Sequence, residues 1–317
     1  MPAGDLVEVL TFRGGYNTNV VLAGTTLLGI AAGVVGSFAM LRERTLVSDA
    51  IGHAALPGVA AAFLLASACG DSGRSVPLLL VGAATTGLLA VLAIEFLARR
   101  TRLHTDAATA AVLGSSFGLG VVLLGVVQDS PQGGQAGLAS LVFGSASGML
   151  RAEVAWMAAL AAGSLALSLL LGRSFTGIAF NERFARASGV PVRTLDLVLA
   201  ALVAAVTLAG LQAVGMLLAV ALLAAPPATA RLWTRRVPAL VATSAILGAT
   251  SGFVGTALSA TLPDAPTGAL IVLVATSIFV ASLVAAPDRG LVAIALRRRR
   301  LREEAQRAME GAAGAVE

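Results

Sequence analysis

Two residues near the start of the chain have the types and the spacing of a metal-binding pair. Asp49 and His53 are four residues apart in the segment LRERTLVSDAIGHAALPGV, so in a helix they would lie on the same face. A carboxylate oxygen and an imidazole nitrogen suit divalent manganese, iron or zinc. Two ligands make an incomplete site, which is typical of a conduction pathway. The alternative is that Asp49 caps the helix and His53 hydrogen-bonds to it.

Two other acidic residues are weaker candidates for a metal pathway. Glu95 lies near the end of an apolar run, and Asp106 follows a cluster of arginines. Ion pairs of these carboxylates with Arg99 or Arg102 would explain them equally well. The chain has two histidines, one cysteine and no lysine. Because a phosphate-loop ATPase needs a lysine, and because no nucleophile and base pattern is visible, we expect a protein that is not itself an enzyme.

The composition predicts that a membrane surrounds the elements that carry these residues. Hydrophobic residues make up 57% of the 317 residues, charged residues only 12%, and the mean hydropathy is +0.89, which excludes a water-soluble fold. Eight uncharged runs are nearly all long enough to cross a bilayer as helices. The run 197–230 has arginines on the same side at both ends, so we expect it to cross twice and to turn near Gln212. The sequence therefore predicts an all-α, polytopic bundle of about nine spans, with eight or ten as alternatives.

The arginines also predict the orientation. Basic stretches at 99–102, 173–193, 231–236 and beyond 288 should face the cytoplasm, which puts the N-terminus outside and the C-terminus inside. Residues 289–307 carry seven Arg and two Glu and account for the whole net charge of +5. Because they directly follow a span, anionic lipid is a better partner for them than nucleic acid. The three predicted regions are an extracytoplasmic segment 1–18, a transmembrane domain 19–288 and an arginine-rich cytoplasmic tail 289–317.

One cytoplasmic loop has the pattern of a short amphipathic helix. In IAFNERFARASGVPVR, Phe180 and Phe184 are four residues apart, Gly189 can end a helix in a left-handed conformation, and Pro191 stops it. This pattern predicts a helix over about 178–189 with an aromatic edge. Such an edge fits a partner protein, and it fits the bilayer surface equally well.

Six segments of the chain, in order over about 19–290, resemble the membrane permease subunits of manganese, zinc and iron ABC transporters. The six are LLGIAAGVVGSFAMLRERTLVSDAIGHAALPGVA, LHTDAATAAVLGSSFGLGVVLL, SLVFGSASG, FNERFARASGVPV, LQAVGMLLAVALLAAPPATARLW and PTGALIVLVATSIFVASLVAAPDRG. The resemblance rests on their order and spacing together.

The resemblance implies roles for the residues singled out above. In that family the segment with Asp49 and His53 is associated with the metal route through the membrane. The stretch NERFARASG is similar to the family's coupling helix, and Glu182, Ala185 and Gly189 fit a form of its E-A-A-x-x-x-G pattern. The implied protein is a permease of the cell membrane that imports Mn²⁺, Zn²⁺ or Fe²⁺ and binds no permanent cofactor.

The resemblance also implies partners. Two permease protomers, identical or paralogous, would work with two cytoplasmic ATP-binding subunits and an extracytoplasmic metal-binding protein or lipoprotein. Two copies of Asp49 and His53 would then gather up to four ligands. The alternative from another class is a stand-alone secondary transporter driven by an ion gradient, for which broken helices are expected in both halves. The sequence contains one broken run, at 197–230.

Overall fold

The protein is a bundle of long helices, as the sequence predicts. The computed structural model describes residues 15–69, 76–129, 149–262, 265–287 and 290–294. In this part of the chain the helices of six residues or more are α1 (Tyr16–Leu41), α2 (Thr45–Ala68), α3 (Val76–Arg100), α4 (Thr105–Asp129), α5 (Arg151–Phe180), α6 (Glu182–Ala187), α7 (Val192–Val214), α8 (Met216–Trp233), α9 (Val237–Thr261) and α10 (Thr267–Ala285).

Most of these helices have the length and composition of membrane spans. Eight of them, all except α6 and α8, are long and apolar enough to cross a bilayer, and α8 holds a shorter apolar stretch, Leu218–Trp233. The eight candidate spans of the described residues lie within the expected range of eight to ten. Large apolar side chains such as Trp156 and Leu169 on α5 are exposed, as contact with lipid requires. Most of the predicted N-terminal segment and of the arginine-rich tail lies outside the described residues.

The longest apolar run turns back at Gly215, between α7 and α8. This residue has a φ of 94° and a ψ of 163°, a conformation that only glycine adopts without strain. Its amide donates a hydrogen bond of 3.1 Å to the carbonyl of Gly210. A Cβ on Gly210 would lie 2.6 Å from the Cβ of Ala219, whereas one straight helix would place these two residues about 13 Å apart. The turn expected near Gln212 therefore lies three residues later, where glycine permits the reversal.

Helices α1 and α9 form the most extensive contact between helices in the described residues. Gly29 and Gly248 face each other so closely that a Cβ on either one would clash with the carbonyl oxygen of the other. The hydroxyl of Ser244 donates to a backbone carbonyl of α1 at 2.8 Å, and the hydroxyls of Thr25 and Thr256 are 2.8 Å apart. Small residues permit this approach, and van der Waals packing and hydrogen bonds hold the two helices together in an apolar surrounding.

Helices α2, α3 and α4 form a second packed group. A Cβ on Gly58 of α2 would clash with the carbonyl oxygen of Gly82 on α3, and the reverse also holds. On the other side of α2, Gly120 of α4 lies against Pro57. Helices α1 and α2 are consecutive in the chain but make few contacts, while α7 and α8 touch both α1 and α2. The metal-binding candidates on α2 therefore belong to a group of helices distinct from the α1–α9 contact.

Candidate functional site

Asp49 and His53 lie on one face of α2, as their spacing predicts. Because α2 begins at Thr45, His53 is about 12 Å along the axis from the N-terminal end of the helix. Its Nε2 lies 3.5 Å from Oδ1 of Asp49. Two ligand atoms that each lie about 2.1 Å from a tetrahedral ion are about 3.4 Å apart. The pair therefore has the separation that chelation of one divalent ion requires.

Asp49 does not cap α2, although the contact with His53 that the same alternative expected is present. The residue that precedes α2 is Arg44, and no side chain caps the helix there. Asp49 instead lies in the second turn, where the backbone amides already have partners within the helix. Its carboxylate is therefore free of a capping role and available on the face that also carries His53.

The pair is partly open at the surface of the chain. The side chain of Asp49 is 37% exposed and that of His53 is 21% exposed. The ring of Phe117 on α4 meets the imidazole edge-on, with 5.0 Å between the ring centroids. His53 Nδ1 is buried and has no hydrogen-bond partner in the described part of the chain. The imidazole therefore packs against an aromatic ring, with its Nε2 beside Asp49 and its Nδ1 buried.

Pro57 lies one turn beyond His53, in the interior of α2. Proline has no amide hydrogen, so the carbonyl of His53 lacks the hydrogen bond that residue 57 would otherwise donate. The helix is therefore weakened directly after Asp49 and His53. Past this point the Gly58–Gly82 contact ties α2 to α3.

Asp49 and His53 form a pair without a third metal ligand in the part of the chain that the structure describes. Among the described residues, no three His, Cys, Asp or Glu side chains come together in a way that could hold a metal ion. Glu95 does not join Asp49 and His53, because its carboxylate accepts hydrogen bonds from Arg44 and Arg99, which is the ion-paired alternative. Asp106 is exposed in the first turn of α4, where a negative charge favours the helix.

The helix expected over 178–189 is divided in two by Asn181. Helix α5 continues to Phe180, and Asn181 then adopts an extended conformation. Its side-chain oxygen accepts a hydrogen bond of 3.0 Å from the amide of Phe184 and so caps the six-residue α6. Gly189 follows with a φ of 79°, as predicted for the left-handed residue after the helix. Asn181 is a residue type that often caps helices, so the sequence contained a signal for a new helix start there. The helical spacing of Phe180 and Phe184 on either side favoured one continuous helix instead.

An aromatic edge projects from this region. Phe180 is 74% exposed and Phe184 is 70% exposed, whereas Ala185 is buried against the bundle. The two rings therefore contribute little to the core of this chain. They are available to a partner or to a bilayer surface.

Charged side chains connect α6 with the start of α2. The guanidinium of Arg42 donates to Glu182 on α6 at 3.2 Å and to both carboxylate oxygens of Asp196 on α7 at 2.9 Å. Arg44 donates to Asp196 at 3.3 Å and also to Glu95 on α3. We call these five residues the arginine network. It joins three helices to the short loop between α1 and α2.

The arginine network is largely shielded from water. The side chains of Arg42 and Asp196 are 10% and 4% exposed. Partial burial tends to raise the pKa of Glu182, but the hydrogen bond and charge of Arg42, with those of Arg186, outweigh it and hold the pKa below its ordinary value. Glu182 is therefore ionised at neutral pH. Sequence reasoning missed the network, although Asp196 directly before a long apolar run is a signal of a buried partner.

Similar sequences and a similar fold occur among known membrane transport proteins. The model of the ABC 3 transport family matches residues 16–286. The manganese transport system membrane protein MntC of Bacillus subtilis is 42% identical over 92% of this chain, which spans 66% of that protein's length. The zinc transport system membrane protein TroC of Treponema pallidum is 38% identical, over 90% of this chain and 94% of its own. The solved structure of PsaBC from Streptococcus pneumoniae in complex with Fab matches with a TM-score of 0.73 and 29% identity, over 91% of this chain and 98% of that one.

Proposed function

The chain belongs to the ABC 3 transport family, and we propose that it is the membrane permease of an ATP-driven importer of divalent manganese or zinc. The observation that carries the proposal is the Asp49–His53 pair, which has a chelating separation on an apolar helix. The names of the relatives, manganese transport for MntC and zinc transport for TroC, support this cargo. Fe²⁺ suits the same two ligand types and stays within the proposed class of substrate.

A second protomer would complete the metal site. Two copies of the pair supply four ligands, the number that a tetrahedral ion takes. The partial exposure of Asp49 and His53 supports an arrangement in which another chain, identical or paralogous, faces them. Ligands shared between two chains separate again when the chains move apart, so the ion is bound and then released.

The protein would lie in the cell membrane with the arginine-rich end of the bundle facing the cytoplasm, the N-terminus outside and the C-terminus inside. At that end Phe180 and Phe184 would contact a separate ATP-binding subunit, which performs the hydrolysis that a chain without lysine does not. At the opposite end a metal-binding protein or lipoprotein would deliver the ion. Membership of an ABC transport family favours this assembly over a stand-alone carrier driven by an ion gradient.

Metal uptake by two variants tests the proposal. Asp49→Asn keeps the size of the side chain but removes the charge that attracts a cation, and His53→Ala removes the nitrogen ligand. Each variant is expressed with its partner subunits in a strain that lacks its own importers, and uptake of radiolabelled manganese and zinc is measured. Each should lower uptake by about tenfold or more.

The matched control is Glu43→Gln. Glu43 is an exposed carboxylate in the loop that precedes α2, six residues from Asp49. Loss of the Glu43 charge should leave metal uptake near the wild-type rate. Comparison of the uptake of radiolabelled manganese with that of radiolabelled zinc ranks the two metals. Wild-type uptake by both Asp49→Asn and His53→Ala, at equal amounts of protein in the membrane, would show that the metal route lies elsewhere.

A further inference from the structure

We propose that the arginine network transmits displacement of α6 to the metal-binding pair on α2, so that Asp196, Arg42 and Arg44 are positioning residues for transport. The inference rests on the proposed function, because it assumes that α6 contacts an ATP-binding subunit and that Asp49 and His53 bind the cargo.

A continuous path of charge pairs leads from α6 to the start of α2. Glu182 on α6 pairs with Arg42, Arg42 pairs with Asp196 on α7, and Asp196 pairs with Arg44. Arg44 is the residue that immediately precedes α2. Asp49 follows it after five residues. The path therefore ends within about one and a half turns of the metal-binding pair.

The charge pairs of this path are held firmly at Arg42. Arg42 also donates to the carbonyl of Ile178 in the last turn of α5, at 3.0 Å, so one guanidinium holds α5, α6 and α7. Because Arg42 and Asp196 are nearly excluded from water, separating them would leave a buried charge without its partner, which is strongly unfavourable. Movement of α6 reaches Arg42 through Glu182, and the buried Arg42–Asp196 pair keeps Arg42 and α7 together, so the loop between α1 and α2 is displaced with them.

The segment that such a displacement moves is short. Few contacts join α1 to α2, so the loop between them is not fixed by packing of one helix on the other. Pro57 weakens α2 after the metal-binding pair, and the contact of Gly58 with Gly82 fixes the rest of the helix to α3. The segment between Arg44 and Pro57 carries both Asp49 and His53. Displacement that enters at Arg44 is therefore concentrated on the metal-binding pair.

The experiment measures metal imported per ATP hydrolysed. The full complex, with permease, ATP-binding subunits and metal-binding protein, is reconstituted in liposomes with Mn²⁺ as the probe. Asp196→Asn removes the central carboxylate at constant size. Arg44→Gln removes the pairs of Arg44 with Asp196 and with Glu95 and leaves the Arg42–Asp196 pair intact, so it tests the inference even if Asp196→Asn does not fold. Arg100→Gln is the control, because Arg100 is exposed at the end of α3 outside the network.

The expected result is a fall of about fivefold or more in Mn²⁺ imported per ATP for Arg44→Gln, with ATP hydrolysis retained and with Arg100→Gln at the wild-type ratio. An unchanged ratio in Arg44→Gln would overturn the inference. Proportional losses of uptake and hydrolysis would also overturn it, because they indicate a network that only stabilises the fold. If the wild-type complex imports neither Mn²⁺ nor, when they replace Mn²⁺ as the probe, Zn²⁺ and Fe²⁺, the proposed function is refuted instead, so the two failures are distinguishable.

Discussion

Truncation of Phe180 and Phe184 to alanine should weaken the association of the chain with an ATP-binding subunit. The two rings are 74% and 70% exposed, so about seven tenths of each remains available for burial in a partner. Full burial of a phenylalanine side chain contributes about 1.5–3 kcal/mol, which gives about 1–2 kcal/mol for each ring here. The double variant should therefore bind about 2–4 kcal/mol more weakly, a rise in Kd of about 30- to 700-fold. Because the rings contribute little to the core, the thermal stability of the permease itself should hardly change.

The assay is a titration of the purified permease in nanodiscs with the ATP-binding subunit. Phe96→Ala is the matched control, because Phe96 is 64% exposed on the apolar α3 near the same end of the bundle. This control should bind with the wild-type Kd. Wild-type binding by the Phe180→Ala/Phe184→Ala variant would refute the reasoning and favour a helix that lies on the bilayer. Equal weakening by Phe96→Ala would show that the loss is not specific to the α6 region.

Two further predictions concern packing and orientation. Gly248→Ala should lower the midpoint of thermal unfolding in detergent, by an amount equivalent to about 1–3 kcal/mol, because its Cβ would clash with the carbonyl oxygen of Gly29. Gly163→Ala, in open space on α5, should leave the midpoint unchanged or raise it, and equal midpoints for the two variants would contradict the close α1–α9 contact. A membrane-impermeant maleimide should label the exposed Cys69 in intact cells, since α2 ends opposite the arginine network. A cysteine at Thr101 in a Cys69→Ala background should react only after the membrane is opened, and the reverse pattern would overturn the orientation.

The helices and the placement of Asp49 and His53 on one helical face could be predicted because both depend on local order in the chain. Apolar runs of span length are recognisable one by one, and a spacing of four residues places Asp49 and His53 on one helical face whatever surrounds them. The reversal in the run 197–230 followed from the arginines at its ends. Its position at Gly215 instead of Gln212 depended on which backbone could adopt a positive φ, and glycine was the residue that did.

The arginine network could not be predicted in the same way. Arg42 and Asp196 are 154 residues apart in the chain, and nothing local identifies one as the partner of the other. Their pairing depends on how α7 packs beside the loop between α1 and α2. The same packing pairs Glu95 with Arg44 and not with Asp49 and His53. Where side chains from distant helices meet, residue types predict that partners exist but not which ones they are.

The contact of Gly58 with Gly82 gives the molecule an internal reference point. Because backbone meets backbone there, no side-chain rotamer can change to absorb a shift, and the half of α2 that follows Pro57 is held close to α3. The distance between two spectroscopic probes placed across this contact should stay the same during transport and would serve as an internal control. A second pair of probes, on α3 and on the half of α2 that begins at Thr45, would measure changes in the distance of Asp49 and His53 from α3. Rotation of the whole bundle would not affect that distance.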